Sequence, residues 1–178
     1  FIERAEIIRE KGTNRSQFFR GMVDKYTWSD IGSSYLPSEL QAAYLFAQLE
    51  VANKINEARL KTWNNYYQAL KPLEDQNFLS LANIPNECKH NAHMFYIKVK
   101  DLTQRTELLE YLKKSKIFAA FHYVPLHSSP FGEKVTEFNG HDNFTTSESE
   151  KLIRLPLWYG ISESDINTVV LNIKIFFE

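Results

Sequence analysis

The chain has 178 residues, 43% hydrophobic and 24% charged, with a formal net charge of -1. This composition is typical of a globular protein and argues against a disordered chain or a nucleic-acid-binding one, which would need a basic surface. No apolar run approaches the ~20 residues that cross a bilayer, and a single cysteine fits a reducing compartment, so we expect a cytoplasmic protein with neither nucleic-acid nor membrane partners.

The first predicted element is the end of a helix. Ile2, Ala5 and Ile8 recur at near-helical spacing, and Gly12 stands where a glycine commonly ends a helix. A domain rarely begins in the middle of a helix or a strand. The sequence therefore indicates either a trimmed chain or a genuine fragment of a longer protein, and we favour the fragment.

Residues 13–36 are predicted to form a long structured loop, because they are polar and aromatic without a clean period. Aromatic rings favour burial, so the aromatic residues here argue against disorder and are expected to be buried. They are Phe18, Phe19, Tyr26, Trp28 and Tyr35.

A long helix follows the loop. Ser38 is a predicted N-cap, and Gln41 stands three residues further on, where it closes a capping box. The helical period of apolar residues continues to Leu70, which predicts a helix that breaks near Asn53 and ends before Pro72.

The second half of the chain alternates strands and helices. This order predicts a small α/β layer in which helices pack on a short sheet. The stretch 155–158 contains a proline, so we expect it at the edge of the sheet if it is a strand. The predicted strands span 94–100 and 117–124, and the predicted helices span 106–115, 147–153 and a C-terminal segment that is capped by Ser162.

Five histidines are present, and none has a tight metal-ligand spacing. Cys88, His90 and His93 form the nearest cluster, and we favour a structural or surface role for it over a metal site. His122, Tyr123 and His127 are different, because they lie where a predicted strand runs into a proline-bearing loop, a common position for ligand-binding side chains. Their spacing alone still favours structural histidines.

Two further segments are candidate anion sites. Arg15 could clamp an anion through paired hydrogen bonds, although a surface arginine is equally consistent with its position. The run Gly32-Ser33-Ser34-Tyr35 precedes the capped helix, and the free N–H groups of a helix N-terminus suit a phosphate. Such turns are also common before helices that bind nothing.

Taken together, these segments resemble the C-terminal half of the DegT-type sugar aminotransferases, which are fold-type I pyridoxal-phosphate (PLP) enzymes. The resemblance covers nearly the whole chain. The Gly-Ser-Ser-Tyr-Leu-Pro-Ser run resembles the corresponding run in the branch of the family that aminates dTDP-4-keto-6-deoxyhexoses. The segments that carry it are residues 12–21, 24–28, 30–43, 91–96, 121–127 and 154–157.

The resemblance implies a C-terminal small domain of a PLP-dependent transferase, with residues 1–36 as the tail of the large domain and an active-site loop. Residues 37–71 are then a connecting helix, and residues 72–178 are the small domain. It also implies a homodimer in which glutamate donates the amino group. The lysine that holds PLP as a Schiff base is expected upstream of Phe1, so no catalytic residue is assigned within the chain.

The resemblance also assigns site residues. It places Ser34 and Tyr35 at the cofactor phosphate of the neighbouring subunit, although many family members carry asparagine where Ser34 stands. It places His127, His122 and Tyr123 near the sugar, and Arg15 is a weaker candidate there. No metal is implied.

Two interpretations remain open at this point. The chain is either part of an aminotransferase that needs its large-domain half, or a non-catalytic remnant that binds a sugar nucleotide or dimerises. A related sugar dehydratase is a third possibility. Those enzymes replace the Schiff-base lysine, which this chain does not contain, so the chain cannot distinguish them.

Overall fold

The computed structural model describes residues 1–178, and these divide into two compact units, Phe1–Ala52 and Asn53–Glu178. None of its helices has the length and hydropathy needed to span a membrane.

The first unit contains three helices, α1 (Ile2–Arg9), α2 (Arg15–Phe19) and α3 (Glu39–Glu50). The helical start of the chain is confirmed. The chain turns away from α1 at Gly12, which adopts a φ of 76° and donates its N–H to the carbonyl of Ile7 at 2.8 Å. Glycine tolerates this left-handed conformation because it has no Cβ. The short helix α2 was not predicted, since five residues are too few to show a period.

The aromatic side chains of residues 13–36 are largely exposed, so the prediction that they are buried was wrong. Trp28 is 77% exposed and Tyr35 is 68% exposed, while Phe18 makes edge contacts with the rings of Phe19 and Tyr26. The physical reason is that this unit has short helices and contributes no residue to the hydrophobic core, which begins at Trp63.

The capping box at the start of α3 is confirmed. The Ser38 hydroxyl accepts a hydrogen bond from the backbone N–H of Gln41, whose side-chain oxygen accepts one from the N–H of Ser38 at 2.8 Å. None of the residues of α3 is buried. The predicted break is also confirmed, because α3 ends before Val51 and α4 (Ala52–Asp75) begins directly after it.

Helix α4 continues through Pro72, so the predicted end before this proline was wrong. A proline removes one backbone hydrogen bond and crowds the preceding turn. The burial of one side chain and two hydrogen bonds in the last turn offset this cost. Leu73 is buried in the core, and the Glu74 carboxylate accepts hydrogen bonds from Lys71 Nζ and from the N–H of Leu81, each at 2.7 Å. The lysine bond, followed by the backbone bond, lowers the pKa of Glu74.

The second unit is built on a four-stranded sheet in which every neighbouring pair is antiparallel. The strand order is β1-β2-β4-β3, so β2 and β4 are interior strands. The strands are β1 (Ser80–Leu81), β2 (Phe95–Lys98), β3 (Ala120–Phe121) and β4 (Leu152–Leu155). The remaining helices are α5 (Leu102–Lys114), a 3-10 turn (Leu126–Ser128), α6 (Gly132–Val135), α7 (Thr145–Lys151) and α8 (Glu163–Phe177).

One face of this sheet forms the hydrophobic core with helices α4, α5 and α8. The side chains of β2 alternate between buried and half-buried, as the period of a strand requires. Tyr66 joins helix and sheet, because its hydroxyl donates to the carbonyl of Pro156 at 2.9 Å. Burial raises the pKa of Tyr66 far above its ordinary value, so the phenol remains a donor. The largest fully buried side chains are Tyr66, Leu70, Phe95, Ile97, Leu108, Leu112, Ile153 and Ile173.

The predicted α/β layer is therefore confirmed, with corrections to single elements. The strand predicted over 117–124 is reduced to Ala120–Phe121. The apolar stretch 155–158 is not an edge strand. Its first residue, Leu155, ends the interior strand β4, and Pro156 follows the strand, where its missing N–H interrupts no ladder.

Candidate functional site

The loop before α3 is fixed to the end of α1 by backbone hydrogen bonds. Ser33 donates its N–H to the carbonyl of Ile8 and accepts from the N–H of Lys11, both at 3.0 Å. Tyr35 donates its N–H to the carbonyl of Arg9 at 3.2 Å. These bonds hold the backbone of Ser34 in place while its side chain stays exposed.

The Ser34 side chain lines a pocket of about 820 Å³ that lies entirely within the first unit. Three cationic side chains and two carboxylates line this pocket, so its charge is slightly positive. The N-terminal end of α3 also contributes through Ser38, and the positive end of a helix dipole favours an anion. The charged lining residues are Arg9, Lys11, Arg15, Glu10 and Glu39.

This donor set fits a phosphate group. A phosphate oxygen accepts hydrogen bonds from hydroxyl and guanidinium groups, and Ser34 and Arg15 supply one of each. Arg15 is exposed, and its guanidinium carbon lies 5.1 Å from the centre of the Phe19 ring, which restricts where it can reach. Tyr35 is exposed and is not among the side chains that line the pocket.

No lysine of the chain is buried. Lys11 lines the pocket of the first unit, but its side chain is exposed. A lysine that forms a covalent bond to a carbonyl cofactor needs a lowered pKa, which burial or a neighbouring cation provides. Burial therefore does not provide such an environment for any lysine of this chain.

In the second unit, His127 is oriented by a carboxylate. Its Nε2 lies 3.0 Å from Asp142 Oδ2, and its ring centre lies 4.4 Å from that of Phe138. Asp142 also accepts hydrogen bonds from the hydroxyl and the N–H of Thr146. The Thr146 hydroxyl contributes most to the lowered pKa of Asp142, and His127 contributes further. Asp142 therefore orients the His127 ring through Nε2.

His122 and Tyr123 form a separate group with Arg154. The rings of His122 and Tyr123 have their centres 3.7 Å apart, and the guanidinium carbon of Arg154 lies 5.6 Å from the centre of the Tyr123 ring. Burial and, secondly, the charge of Arg154 lower the pKa of His122, so this imidazole is held neutral. Nδ1 of His122 is buried without a hydrogen-bond partner.

The side chains of Cys88, His90 and His93 lie in different environments. His90 packs edge-on against Trp63 at 4.7 Å, and its Nδ1 accepts from the N–H of Ala92. Cys88 and His93 are exposed.

Two residues of these groups were not singled out from the sequence. Asp142 accepts the N–H of Thr146 in the first turn of α7, but the N-cap of this helix is Phe144, so no capping signal in the sequence pointed to Asp142. Arg154 sits on β4 between two buried residues, and only the alternation of that strand could have indicated that it faces away from the core.

The small antiparallel sheet and the helices packed on it form an α/β fold that matches solved aminotransferase structures. The model of the DegT/DnrJ/EryC1/StrS aminotransferase family matches residues 1–174, and the chain belongs to this family. The resemblance inferred from the sequence is thereby confirmed at the level of the family.

Individual relatives agree with this assignment. The chain is 28% identical to MJ1066, an uncharacterised protein of Methanocaldococcus jannaschii, over 97% of this chain and 46% of that protein. The structure is similar to that of Helicobacter pylori PseC, an aminotransferase involved in the biosynthesis of pseudoaminic acid. The TM-score is 0.78 at 20% identity, over 97% of this chain and 44% of that one.

Spr1654 from Streptococcus pneumoniae, solved in its PLP-form, is also similar, with a TM-score of 0.75 at 16% identity. That match covers 96% of this chain and 42% of Spr1654. The chain thus spans a little under half the length of the relatives that it matches.

Proposed function

We propose that this chain provides the C-terminal part of a PLP-dependent nucleotide-sugar aminotransferase. In the proposed reaction an amino group moves from glutamate to the ketone of a dTDP-4-keto-6-deoxyhexose. Family membership supports the class of reaction, and the Gly-Ser-Ser-Tyr-Leu-Pro-Ser run at residues 32–38 supports the substrate. The proposed activity is that of dTDP-4-oxo-6-deoxyglucose transaminase, which makes dTDP-4-amino-4,6-dideoxygalactose for enterobacterial common antigen.

The observation that carries the proposal is the environment of Ser34. Its backbone is held by hydrogen bonds on both sides, its hydroxyl is exposed, and cationic side chains line the same pocket. In the proposal this hydroxyl donates to the phosphate of PLP bound by the neighbouring subunit of a homodimer. Tyr35 would contact the same cofactor, and Arg15 would supply positive charge to an anionic group of the substrate.

The residues of the second unit would bind the sugar. Asp142 engages Nε2 of His127, which leaves Nδ1 of this ring to form a hydrogen bond with a sugar hydroxyl. The neutral imidazole of His122 and the phenol of Tyr123 can each donate or accept one hydrogen bond. These groups bind and orient the ketone, while bound PLP supplies the carbonyl chemistry that carries the amino group.

These proposed roles follow the domains proposed from the sequence. Residues 1–36 are the tail of the large domain and the active-site loop, residues 37–71 are the connecting helix, and residues 72–178 are the small domain. We propose that the lysine that anchors PLP lies outside these residues, in the large domain of the protein. The exposure of every pocket-lining lysine supports this part of the proposal. The whole protein is proposed to be cytoplasmic.

That same exposure favours a second candidate, a non-catalytic remnant that binds a sugar nucleotide or dimerises without turnover. To separate the two, the 178-residue chain is incubated with PLP and reduced with borohydride. We expect no adduct on a specific lysine by peptide mass spectrometry, since no lysine of the chain is buried. A single stoichiometric adduct within residues 1–178 would contradict the proposed location of the lysine.

The reaction itself is tested on the polypeptide that carries this chain, purified from its native source and characterised by its intact mass. With PLP, ¹⁵N-glutamate and dTDP-4-keto-6-deoxyglucose, we expect a ¹⁵N-labelled amino sugar nucleotide. Ser34→Ala should weaken PLP binding about tenfold, because a hydrogen bond to a charged group contributes about 1.5 kcal/mol.

Ser33→Ala is the matched control, because Ser33 is the adjacent serine and does not line the pocket. It should leave the affinity for PLP unchanged. Equal effects of the two substitutions would remove the assigned role of Ser34. Complete absence of labelled product from a polypeptide of full family length would favour the non-catalytic candidate.

A further inference from the structure

Strand β3 lies at one edge of the sheet, and its outer side is open. It pairs only with β4, through Ala120 and Phe121. Apart from this ladder, residues 118–121 form no backbone–backbone hydrogen bond. Alternate residues of an edge strand direct their N–H and C=O groups away from the sheet, so β3 presents donors and acceptors with which another strand can pair.

The opposite edge of the sheet, at β1, is closed. The N–H of Leu81 donates to the carboxylate of Glu74 at 2.7 Å, so a side chain from α4 satisfies the backbone there. Leu81 is itself buried in the core. The fold thus satisfies one edge of the sheet internally and leaves the other edge open.

The open edge, residues 117–121, lacks the residues that usually block pairing with another strand. Sheet edges are commonly protected by a charged side chain or a proline. The sequence here is Ile-Phe-Ala-Ala-Phe and contains neither. Phe118 is 79% exposed and Phe121 is 44% exposed. An uncharged edge with two accessible rings favours contact with a partner strand over contact with water.

A groove of about 270 Å³ runs between this edge and helix α5. Leu109 of α5 and Phe121 of β3 are among its apolar walls. Its two charged residues, Glu110 and Lys113, have opposite signs, so the groove has no net charge. A second copy of the same surface can therefore approach it without net electrostatic repulsion.

The symmetry of an antiparallel sheet limits how two copies of β3 can pair. Two copies that continue one sheet are related by a two-fold axis perpendicular to the sheet, so each residue faces a residue on the same side of it. Because side chains alternate between the two sides, the axis passes through a residue and not between two residues. With the axis at Ala119, Phe118 faces Ala120 of the second copy, and Ile117 faces Phe121.

This register pairs the five residues of the edge only with one another. On one side of the sheet a large ring faces a methyl group, and on the other side an aromatic ring faces a β-branched side chain, which is a stabilising cross-strand pair. An axis at Phe118 would bring Lys116 against Ala120. An axis at Ala120 would bring His122 against Phe118. Only the axis at Ala119 keeps polar side chains out of the pairing.

We propose that the edge formed by residues 117–121 is a self-association surface, at which two copies of the chain pair in antiparallel orientation with Ala119 on the axis. The four phenylalanine rings of such a pair can bury roughly 1,000 Å² at most. Standard interfaces bury about 1,200–2,000 Å², so the pairing is weak and reversible. It uses residues of the second unit, whereas the subunit contact proposed for Ser34 uses the first, so it does not depend on the proposed reaction.

Disulfide trapping of the 178-residue chain tests the pairing and its register. Each variant carries Cys88→Ser, which removes the single natural cysteine, and one new cysteine. In the proposed pair the two copies of residue 119 face each other, with Cα atoms about 4.5–5.5 Å apart, and a disulfide needs a separation below about 7 Å. Ala120→Cys is the matched control, because the two copies of residue 120 are offset along the strands and lie roughly 8 Å apart.

With oxidised glutathione, we expect Ala119→Cys to form a covalent dimer at least about tenfold faster than Ala120→Cys, because only the first pair meets the disulfide geometry. Non-reducing electrophoresis measures each rate, which is divided by the reactivity of the same thiol towards a small disulfide reagent. Equal rates, or faster trapping of Ala120→Cys, would overturn the proposal.

A charge on the edge should prevent the pairing. Phe118→Lys, added to Ala119→Cys, should slow trapping at least about tenfold, because a lysine at a sheet edge opposes strand addition. Phe131→Lys is its matched control, since Phe131 is 72% exposed and lies outside the edge. Equal slowing by the two lysines would indicate non-specific hydrophobic association and overturn the proposal. If Phe118→Lys loses its folded circular dichroism spectrum, the comparison of Ala119→Cys with Ala120→Cys decides alone.

A foreign strand is the competing occupant of the edge. It would be indicated if Ala119→Cys stays monomeric while an unrelated extended peptide gives saturable NMR shifts of the Ala119 and Ala120 amides. That outcome would overturn self-pairing. None of these readouts involves PLP or a sugar nucleotide, so failure of the proposed reaction and failure of the pairing are distinguishable.

Discussion

Replacing Gly12 by alanine should destabilise the backbone around Gly12 by more than about 3 kcal/mol. A Cβ at this position would lie 1.7 Å from the carbonyl oxygen of Asp30, and the φ of 76° is itself unfavourable for alanine. The carbonyl of Gly12 also accepts hydrogen bonds from the N–H groups of Ser29 and Asp30, at 2.7 and 3.0 Å. Because the obstacle is backbone, it cannot rotate away, and the segment that leads to Ser34 must shift.

Gly21→Ala separates the clash from the conformational cost. Gly21 has a nearly equal φ of 71°, but an added Cβ there meets no atom within 4 Å. Its substitution should cost only about 1–2 kcal/mol. Amide hydrogen exchange of Ser29 and Asp30 measures the difference. We expect strong loss of protection in Gly12→Ala and little in Gly21→Ala, and similar exchange in the two variants would contradict the close approach.

Phe95→Ala should lower the free energy of unfolding of the second unit by about 3–5 kcal/mol, the range for removing a fully buried phenylalanine. Phe95 has no exposed surface, and its ring packs against Trp63 and Tyr66 at 5.3 and 5.2 Å between ring centres. The cavity would lie between α4 and β2, where two large rings cannot easily move inward to fill it.

Phe118→Ala removes the same side chain from an exposed position, because Phe118 is 79% exposed. Its effect on the free energy of unfolding should stay within about 0.5 kcal/mol, as for most surface substitutions. Urea unfolding followed by tryptophan fluorescence compares the two variants. A loss below about 1.5 kcal/mol in Phe95→Ala would mean that the core at β2 collapses around the missing ring.

Local signals in the sequence predicted local structure well. The capping box of Ser38 and Gln41 and the cap at Ser162 depend on side chains within one turn of the backbone they satisfy, and both are present. The alternation of β2 likewise reports directly which side chains are buried. Such features need no knowledge of distant residues.

Features that depend on tertiary contacts were mispredicted. The last turn of α4 survives Pro72 because Glu74 binds the N–H of Leu81 and Leu73 is buried, and neither contact can be read from the helix alone. The interior position of β4 follows from pairing with β2 and β3, which lie far away in the chain.

The candidate site shows the same limit. The sequence pointed to His127 and His122 as site residues, and their roles stay predictions. It could not show that Asp142 fixes the His127 ring or that Arg154 contacts the Tyr123 ring, since these partners are brought together only by the loop before α7 and by the sheet.

The position of Arg154 between Ile153 and Leu155 has a consequence for how β4 finds its place. If β4 slipped by one residue against β2, the guanidinium would enter the hydrocarbon side of the sheet while two aliphatic side chains moved into water. Burying an uncompensated charge costs several kcal/mol, so the misaligned strand is strongly disfavoured. Arg154 therefore favours a single alignment of β4 during folding.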